Sequence, residues 1–184
     1  IVVSGANDLI NGDDAVEAVK KIQDLKAIIG QFEIPLEVTE KVFQYAKANS
    51  ITTILNPAPA KIPSQMLLNS TDWFIPNEVE FETISGLNAF DDSNLIKYSN
   101  SIKSNLIVTL GEEGAVYVNK EGSVKKIKAP KVNPIDTTGA GDAFVGAFSY
   151  GIASGYTTED AIKIGVEKAS DSVTRPGTQS SYSI

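Results

Sequence analysis

Short runs rich in β-branched and aromatic residues alternate along this chain with longer stretches of helical period. The pattern predicts strands at 1–3, 27–32, 52–55, 73–75, 106–110, 115–118 and 124–127. It predicts helices at 13–21, 35–49, 77–85, 93–101, 140–153 and 158–173. Within the second helix Leu36, Thr39, Val42, Phe43 and Ala46 recur at helical spacing, which places them on one face. Thr157, followed by Thr158, Glu159 and Asp160, reads as a helix cap with an acidic first turn. Strand–helix alternation predicts an α/β fold with a largely parallel sheet. The last three strands are separated only by short glycine-containing turns at 111–114 and 119–122, so antiparallel hairpins are expected at that edge. No repeat, low-complexity tract or flexible linker interrupts the chain, which reads as one domain. The chain begins inside an expected strand and stops just after a turn, so a longer protein is expected around it.

Composition narrows the chemistry. The 184 residues include 16 basic and 23 acidic side chains, a net charge of −7, which disfavours general binding to nucleic acid or anionic membrane. No apolar run approaches the roughly 20 residues of a membrane span, and the first residues lack the pattern of a signal peptide. A cytoplasmic location is expected. With no Cys there are no disulfides, thiolate zinc sites or Cys nucleophiles. With no His there is no Ser-His-Asp triad and no His general base. Acid–base work falls to Asp, Glu, Lys or Tyr, and any metal should be a hard, oxygen-ligated ion.

One segment stands out against that background: Asp136-Thr137-Thr138-Gly139-Ala140-Gly141-Asp142, at the start of an expected helix. Gly139, Ala140 and Gly141 let a ligand approach the backbone, where free N–H groups and the positive end of the helix dipole converge. That combination suits charge developing on a transferring phosphoryl group. Asp142, in the first turn, is suitably placed to accept a proton from an attacking hydroxyl. A bare Gly-x-Gly-Asp would favour a helix start with glycine for packing and Asp for the dipole. Two acids and two threonines around a Gly-Ala-Gly core are harder to explain by capping alone. Other nucleotide motifs, the G-x-x-x-x-G-K-[ST] loop and the G-x-G-x-x-G turn, are missing.

This string resembles the C-terminal signature of the ribokinase-like family of carbohydrate kinases. Further segments are similar to that family and occur in its order: Gly30-Gln31-Phe32-Glu33-Ile34-Pro35, Leu55-Asn56-Pro57-Ala58-Pro59-Ala60, Pro76-Asn77-Glu78-Val79-Glu80, Val108-Thr109-Leu110-Gly111-Glu112-Glu113-Gly114 and Val173-Thr174-Arg175-Pro176-Gly177-Thr178-Gln179. The resemblance implies a Rossmann-type three-layer α/β fold of the ribokinase-like kind, with a mostly parallel sheet and antiparallel edge strands. Residues 1–184 would be the C-terminal, nucleotide-binding and catalytic-loop portion of a single such domain. The family's N-terminal third, with its Gly-Gly sugar segment and the β lid that forms a homodimer interface, is not represented.

The implied activity is ATP-dependent phosphorylation of D-ribose to D-ribose 5-phosphate. The alternatives are another sugar or nucleoside kinase of the family, or a nucleotide-binding fragment that is catalytically incomplete. By the same resemblance Asp142 is the base, Gly139, Ala140 and Gly141 form an anion hole, and Glu33 with Asp142 holds the sugar. Asn77 and Glu80 orient Mg²⁺ through water, although on the residues alone a helix cap is the preferred reading of this pair. ATP lies along Asn77, Thr109, Leu110, Gly111, Glu112, Glu113, Gly114, Gly141 and Asp142; by itself the 109–114 stretch is a hairpin turn, and Glu33 a surface acid. Asp136 and Thr138 on one side, with Ser172, Arg175, Gly177 and Ser181 on the other, match a K⁺ site, where a helix-ending loop is the simpler reading of Arg175-Pro176-Gly177. One departure is Val166, which falls where the family commonly has a polar residue near adenine.

Overall fold

The computed structural model describes residues 5–182, so the expected strand at 1–3 lies outside the described residues. Six strands form one sheet: β1 (Ala27–Gly30), β2 (Thr52–Leu55), β3 (Trp73–Phe74), β4 (Asn105–Thr109), β5 (Ala115–Val118) and β6 (Val124–Ile127). They lie in sequence order. β1 to β4 are parallel, and β4–β5 and β5–β6 are antiparallel, as the short turns predict. Seven α-helices are described: α1 (Gly12–Lys20), α2 (Leu36–Ala48), α3 (Gln65–Asn69), α4 (Glu78–Ser85), α5 (Asp92–Ile102), α6 (Ala140–Ala153) and α7 (Thr158–Ser172). Among the described residues no helix is long and apolar enough to cross a membrane.

The three layers follow from the two-residue period of the strands. In β4, Leu106 and Val108 join a core containing Phe43, Phe74, Phe81 and Leu95. Ile107 between them joins a second core with Trp73, Phe144, Phe148 and Ile162. The first core binds α2, α4 and α5 to one face; the second binds α6 and α7 to the other. Trp73 sits edge-on to Phe148 with ring centroids 5.0 Å apart. Each fully buried aromatic contributes on the order of 2–3 kcal/mol of apolar burial, so either face is a strong anchor for its helices. Both faces of the inner strands β2, β3 and β4 are covered, whereas Ile29 in the edge strand β1 is exposed.

The departures from the expected elements have local causes. β1 ends at Gly30 because the chain turns off the ladder there, and the Phe32 N–H donates to the Ala58 carbonyl at 2.8 Å. β4 ends at Thr109, whose N–H donates to Pro76 C=O at 3.1 Å, and Thr109 pairs with Asn77 in an isolated parallel bridge. α3 was not expected; it is one short turn, started by Ser64 Oγ accepting from the Leu67 N–H at 3.0 Å. The 3-10 turns Gly5–Leu9, Gly111–Glu113 and Gln179–Ser181 are likewise too short to carry a period. What the fold does for function is to bring the carboxyl ends of β1 to β4 to one side of the sheet. Ligands in open α/β sheets bind at that side.

Candidate active site

A cleft of about 130 Å³ opens at those strand ends. Of the residues singled out in the sequence, Asn77, Glu80, Thr109, Gly139, Gly141 and Asp142 line it. Asn56, Ala58, Ile75 and Val145 complete the lining. The floor is thus built from strand ends, and one wall is the start of α6.

α6 begins after Gly139, whose φ is +80°. L side chains avoid that region, and a Cβ here would also lie 2.7 Å from the Tyr182 hydroxyl. Glycine is therefore required twice over. No side chain caps the first turn of α6, so its N–H groups are not claimed by a Ser, Thr or Asp cap. Gly141 has no heavy atom within 4 Å of where its Cβ would be, which leaves the backbone open towards the cleft. Ala140 belongs to the same turn but does not line the cleft. Asp142 is exposed on this first turn, and its Oδ1 accepts from Gln31 Nε2 at 3.1 Å.

Asn77 and Glu80 form the cap that the helix reading of them expects. Asn77 Oδ1 accepts from the Glu80 N–H at 2.8 Å, and Glu80 Oε2 accepts from the Asn77 N–H at 2.9 Å, a capping box at the start of α4. Both also face the cleft. Burial, the largest cause, pushes the Glu80 carboxyl above its ordinary range; the Asn77 hydrogen bond opposes this, and the charges of Glu78 and Asp142 add to it. Among the described residues no three acidic groups converge into a ready-made metal cage.

The stretch after Thr109 is the β4–β5 turn that the hairpin reading requires. The Leu110 N–H donates to Gly114 C=O at 2.8 Å and the Gly114 N–H to Gly111 C=O at 3.1 Å. Glu112 and Glu113 are exposed on it. Glu33 is exposed, two residues past Gln31, and does not line the cleft. Val166 is 4% exposed and packed in the core with Phe144, which explains why a polar residue is unsuited there.

The two halves of the expected cation site are brought together. Asp136 Oδ1 accepts from the Thr138 N–H and Oδ2 from the Gly177 N–H, both at 2.9 Å. Hydrogen bonding from Thr138, the larger cause, and from Gly177 holds this carboxyl below the usual carboxylate range. Arg175 pairs with Asp171, and its Nε and Nη2 donate to the Ser181 carbonyl at 2.9 and 2.7 Å. The buried Ser172 accepts from the Arg175 N–H through its carbonyl at 3.3 Å. The Tyr182 hydroxyl donates to Gly139 C=O at 3.0 Å.

Sequence reasoning missed Gln31 and Asn56. Both enter the reading only as members of segments similar to the family, with no role assigned to either. Their position directly after β1 and β2 was the available signal.

A doubly covered, mainly parallel sheet, with polar side chains from successive strand ends gathered beside an uncapped helix start, defines an α/β protein built to hold a ligand at its strand ends. The sequence pattern described as "pfkB family carbohydrate kinase" matches residues 4–184. The chain belongs to the pfkB family of carbohydrate kinases. It is 36% identical over 185 residues to a ribokinase of Staphylococcus aureus, covering 98% of this chain and 60% of that protein. It is 34% identical over 187 residues to a deoxyribokinase of Salmonella typhi, covering 99% of this chain and 61% of that protein. The structure of Arabidopsis thaliana ribokinase complexed with ribose and ATP superposes with a TM-score of 0.88 at 26% identity, covering 99% of this chain and 61% of that one. The ribokinase of Thermotoga maritima superposes with a TM-score of 0.81 at 32% identity, covering 100% of this chain and 61% of that one. The family and three-layer fold that the motifs imply are therefore those of this chain, which spans about 60% of the length of the curated relatives it matches.

Proposed function

We propose that the full-length protein transfers the γ-phosphoryl group of ATP to a sugar hydroxyl, with D-ribose as the substrate and D-ribose 5-phosphate as the product. The observation that carries this reading is Asp142 on the first turn of α6, beside the Gly139–Gly141 backbone and within the strand-end cleft. Asp142 takes the proton of the attacking hydroxyl. The N–H groups of the first turn stabilise the charge that develops on the phosphoryl oxygens. Glu33 contributes to holding the sugar, and the 109–114 turn lies along the nucleotide.

Mg²⁺ accompanies ATP and offsets phosphate charge when bound. Asn77 and Glu80 offer oxygen donors at the cleft and fit such an ion through its water shell. The K⁺ donor set is oxygen throughout: the Asp136 carboxylate with carbonyls of Thr138, Ser172, Arg175, Gly177 and Ser181. The Ser181 carbonyl is engaged by Arg175, so a cation there competes with that bond. The resemblance also supports a cytoplasmic homodimer.

In the full-length protein Asp142→Asn should all but abolish turnover while largely sparing ATP binding; near-normal activity in that variant refutes the assignment. Turnover should be faster in K⁺ than in Na⁺, and equal rates remove the cation from the account. The deoxyribokinase relative favours one second reading, 2-deoxyribose as the sugar. A substrate panel of pentoses and hexoses separates the two.

A further inference from the structure

We infer that Gln31 and Asn56 are positioning residues for Asp142, an inference that rests on Asp142 being the base. Four groups from separate segments form one hydrogen-bonded chain. Asn56 Nδ2 donates to the Ile75 carbonyl at 2.9 Å. Gln31 Nε2 donates to Asn56 Oδ1 at 2.8 Å and to Asp142 Oδ1 at 3.1 Å. The chain runs from a buried backbone carbonyl, through two amides, to the carboxylate in the cleft.

The direction of each amide follows from the first bond. A backbone carbonyl can only accept, so Asn56 must turn its NH₂ towards Ile75 and its oxygen away. That oxygen in turn requires a donor from Gln31. Gln31 therefore turns its NH₂, not its carbonyl, to the side where Asp142 lies. With either amide reversed, two oxygens would face each other. Asn56 is 8% exposed, so the amide that sets this order is shielded from water and has little freedom to flip. Its N–H also donates to Gly30 C=O at 3.0 Å, which ties it to the residue before Gln31.

Two consequences follow for Asp142. Its Oδ1 is held as an acceptor by a side chain rooted in the sheet, so the carboxylate is fixed to the strand ends as well as to α6. Its Oδ2 is then the oxygen available to the proton of the sugar hydroxyl. Gln31 need not touch the substrate to affect the rate, because it acts through the orientation of Asp142.

The test uses the full-length protein with D-ribose and ATP. Losing a hydrogen bond to a charged group lowers the rate roughly 10- to 100-fold, so Gln31→Leu should lower kcat by about that factor with little change in either KM. Gln31→Glu, nearly isosteric, replaces the donor by a second carboxylate next to Asp142 and should lower kcat at least as far; it keeps the test readable if Gln31→Leu folds poorly. In an Asp142→Asn background the residual rate should fall by less than about 3-fold on adding Gln31→Leu, because the two residues act as a unit. A kcat within about 3-fold of wild type in both Gln31 variants overturns the inference, as does a rise in KM alone. If Asp142→Asn is itself fully active, the assignment of the base fails, which is a separate result from wild-type turnover in the Gln31 variants.

Discussion

Replacing Gly139 by alanine loads the start of α6 in two ways at once. The residue sits at φ +80°, where an L side chain costs about 1–2 kcal/mol. The new methyl would lie 2.7 Å from the Tyr182 hydroxyl and 3.2 Å from Thr178 Cγ2, so the tyrosine must move. Moving it breaks its 3.0 Å bond to the Gly139 carbonyl. Such a bond contributes about 0.5–1.5 kcal/mol, and the two effects together reach about 2–3 kcal/mol. In a protein of this size each kcal/mol shifts Tm by about 2–4 °C, so thermal unfolding followed by circular dichroism should show a drop of roughly 5–10 °C. Turnover of the full-length protein should fall as well, because the first-turn N–H groups shift with Gly139, and a displacement of about 1 Å at a reacting centre can cost on the order of 100-fold. Gly141→Ala is the control. Its Cβ meets no atom within 4 Å, so Tm should hold or rise slightly, yet the methyl enters the cleft lining and turnover should still fall. A Tm for Gly139→Ala within about 1 °C of wild type, or an equal loss for Gly141→Ala, would refute this reasoning.

Two further changes test the surroundings. Because burial raises the folded-state pKa of Glu80 above its unfolded value, its contribution to stability is fully present below the unfolded pKa and is lost as pH rises through the folded one. Glu80→Gln keeps an acceptor for the Asn77 N–H but cannot ionise, so its Tm relative to wild type should climb between about pH 4 and pH 7; a flat difference contradicts this. Val166→Asn puts an amide into the core beside Phe144 and should cost about 2–4 kcal/mol in urea unfolding, whereas a loss below about 0.5 kcal/mol would mean the amide reaches a partner.

Much of this architecture is legible in the residues because it depends on local signals. The helix at 140–153 was expected at the bounds observed, since its small-residue start and apolar run leave little choice. The antiparallel edge followed from turn lengths alone. The Asn77–Glu80 box was readable as a cap from its residues, and its place at the strand ends only from the family resemblance, because that place depends on β3 ending beside β4. Gln31 and Asp142 are 111 residues apart in sequence, and no period or spacing connects them. Only the side-by-side order of β1 and β2, with α6 crossing their ends, brings the pair into contact. Val166, which the family resemblance marks as a departure, is buried in the core, and that burial suits an apolar side chain.

Asp136 binds two stretches of backbone, one on each carboxylate oxygen: the Thr138 N–H beside it and the Gly177 N–H, 41 residues from Asp136. The Tyr182–Gly139 bond is a second tie between the same stretches. These three bonds couple the two stretches, so we expect them to open as one cooperative unit. Amide protons at Thr138 and Gly177 should then exchange with solvent through one shared event, at rates that change together. The order of the cleft-facing start of α6 is accordingly tied to residues that follow α7.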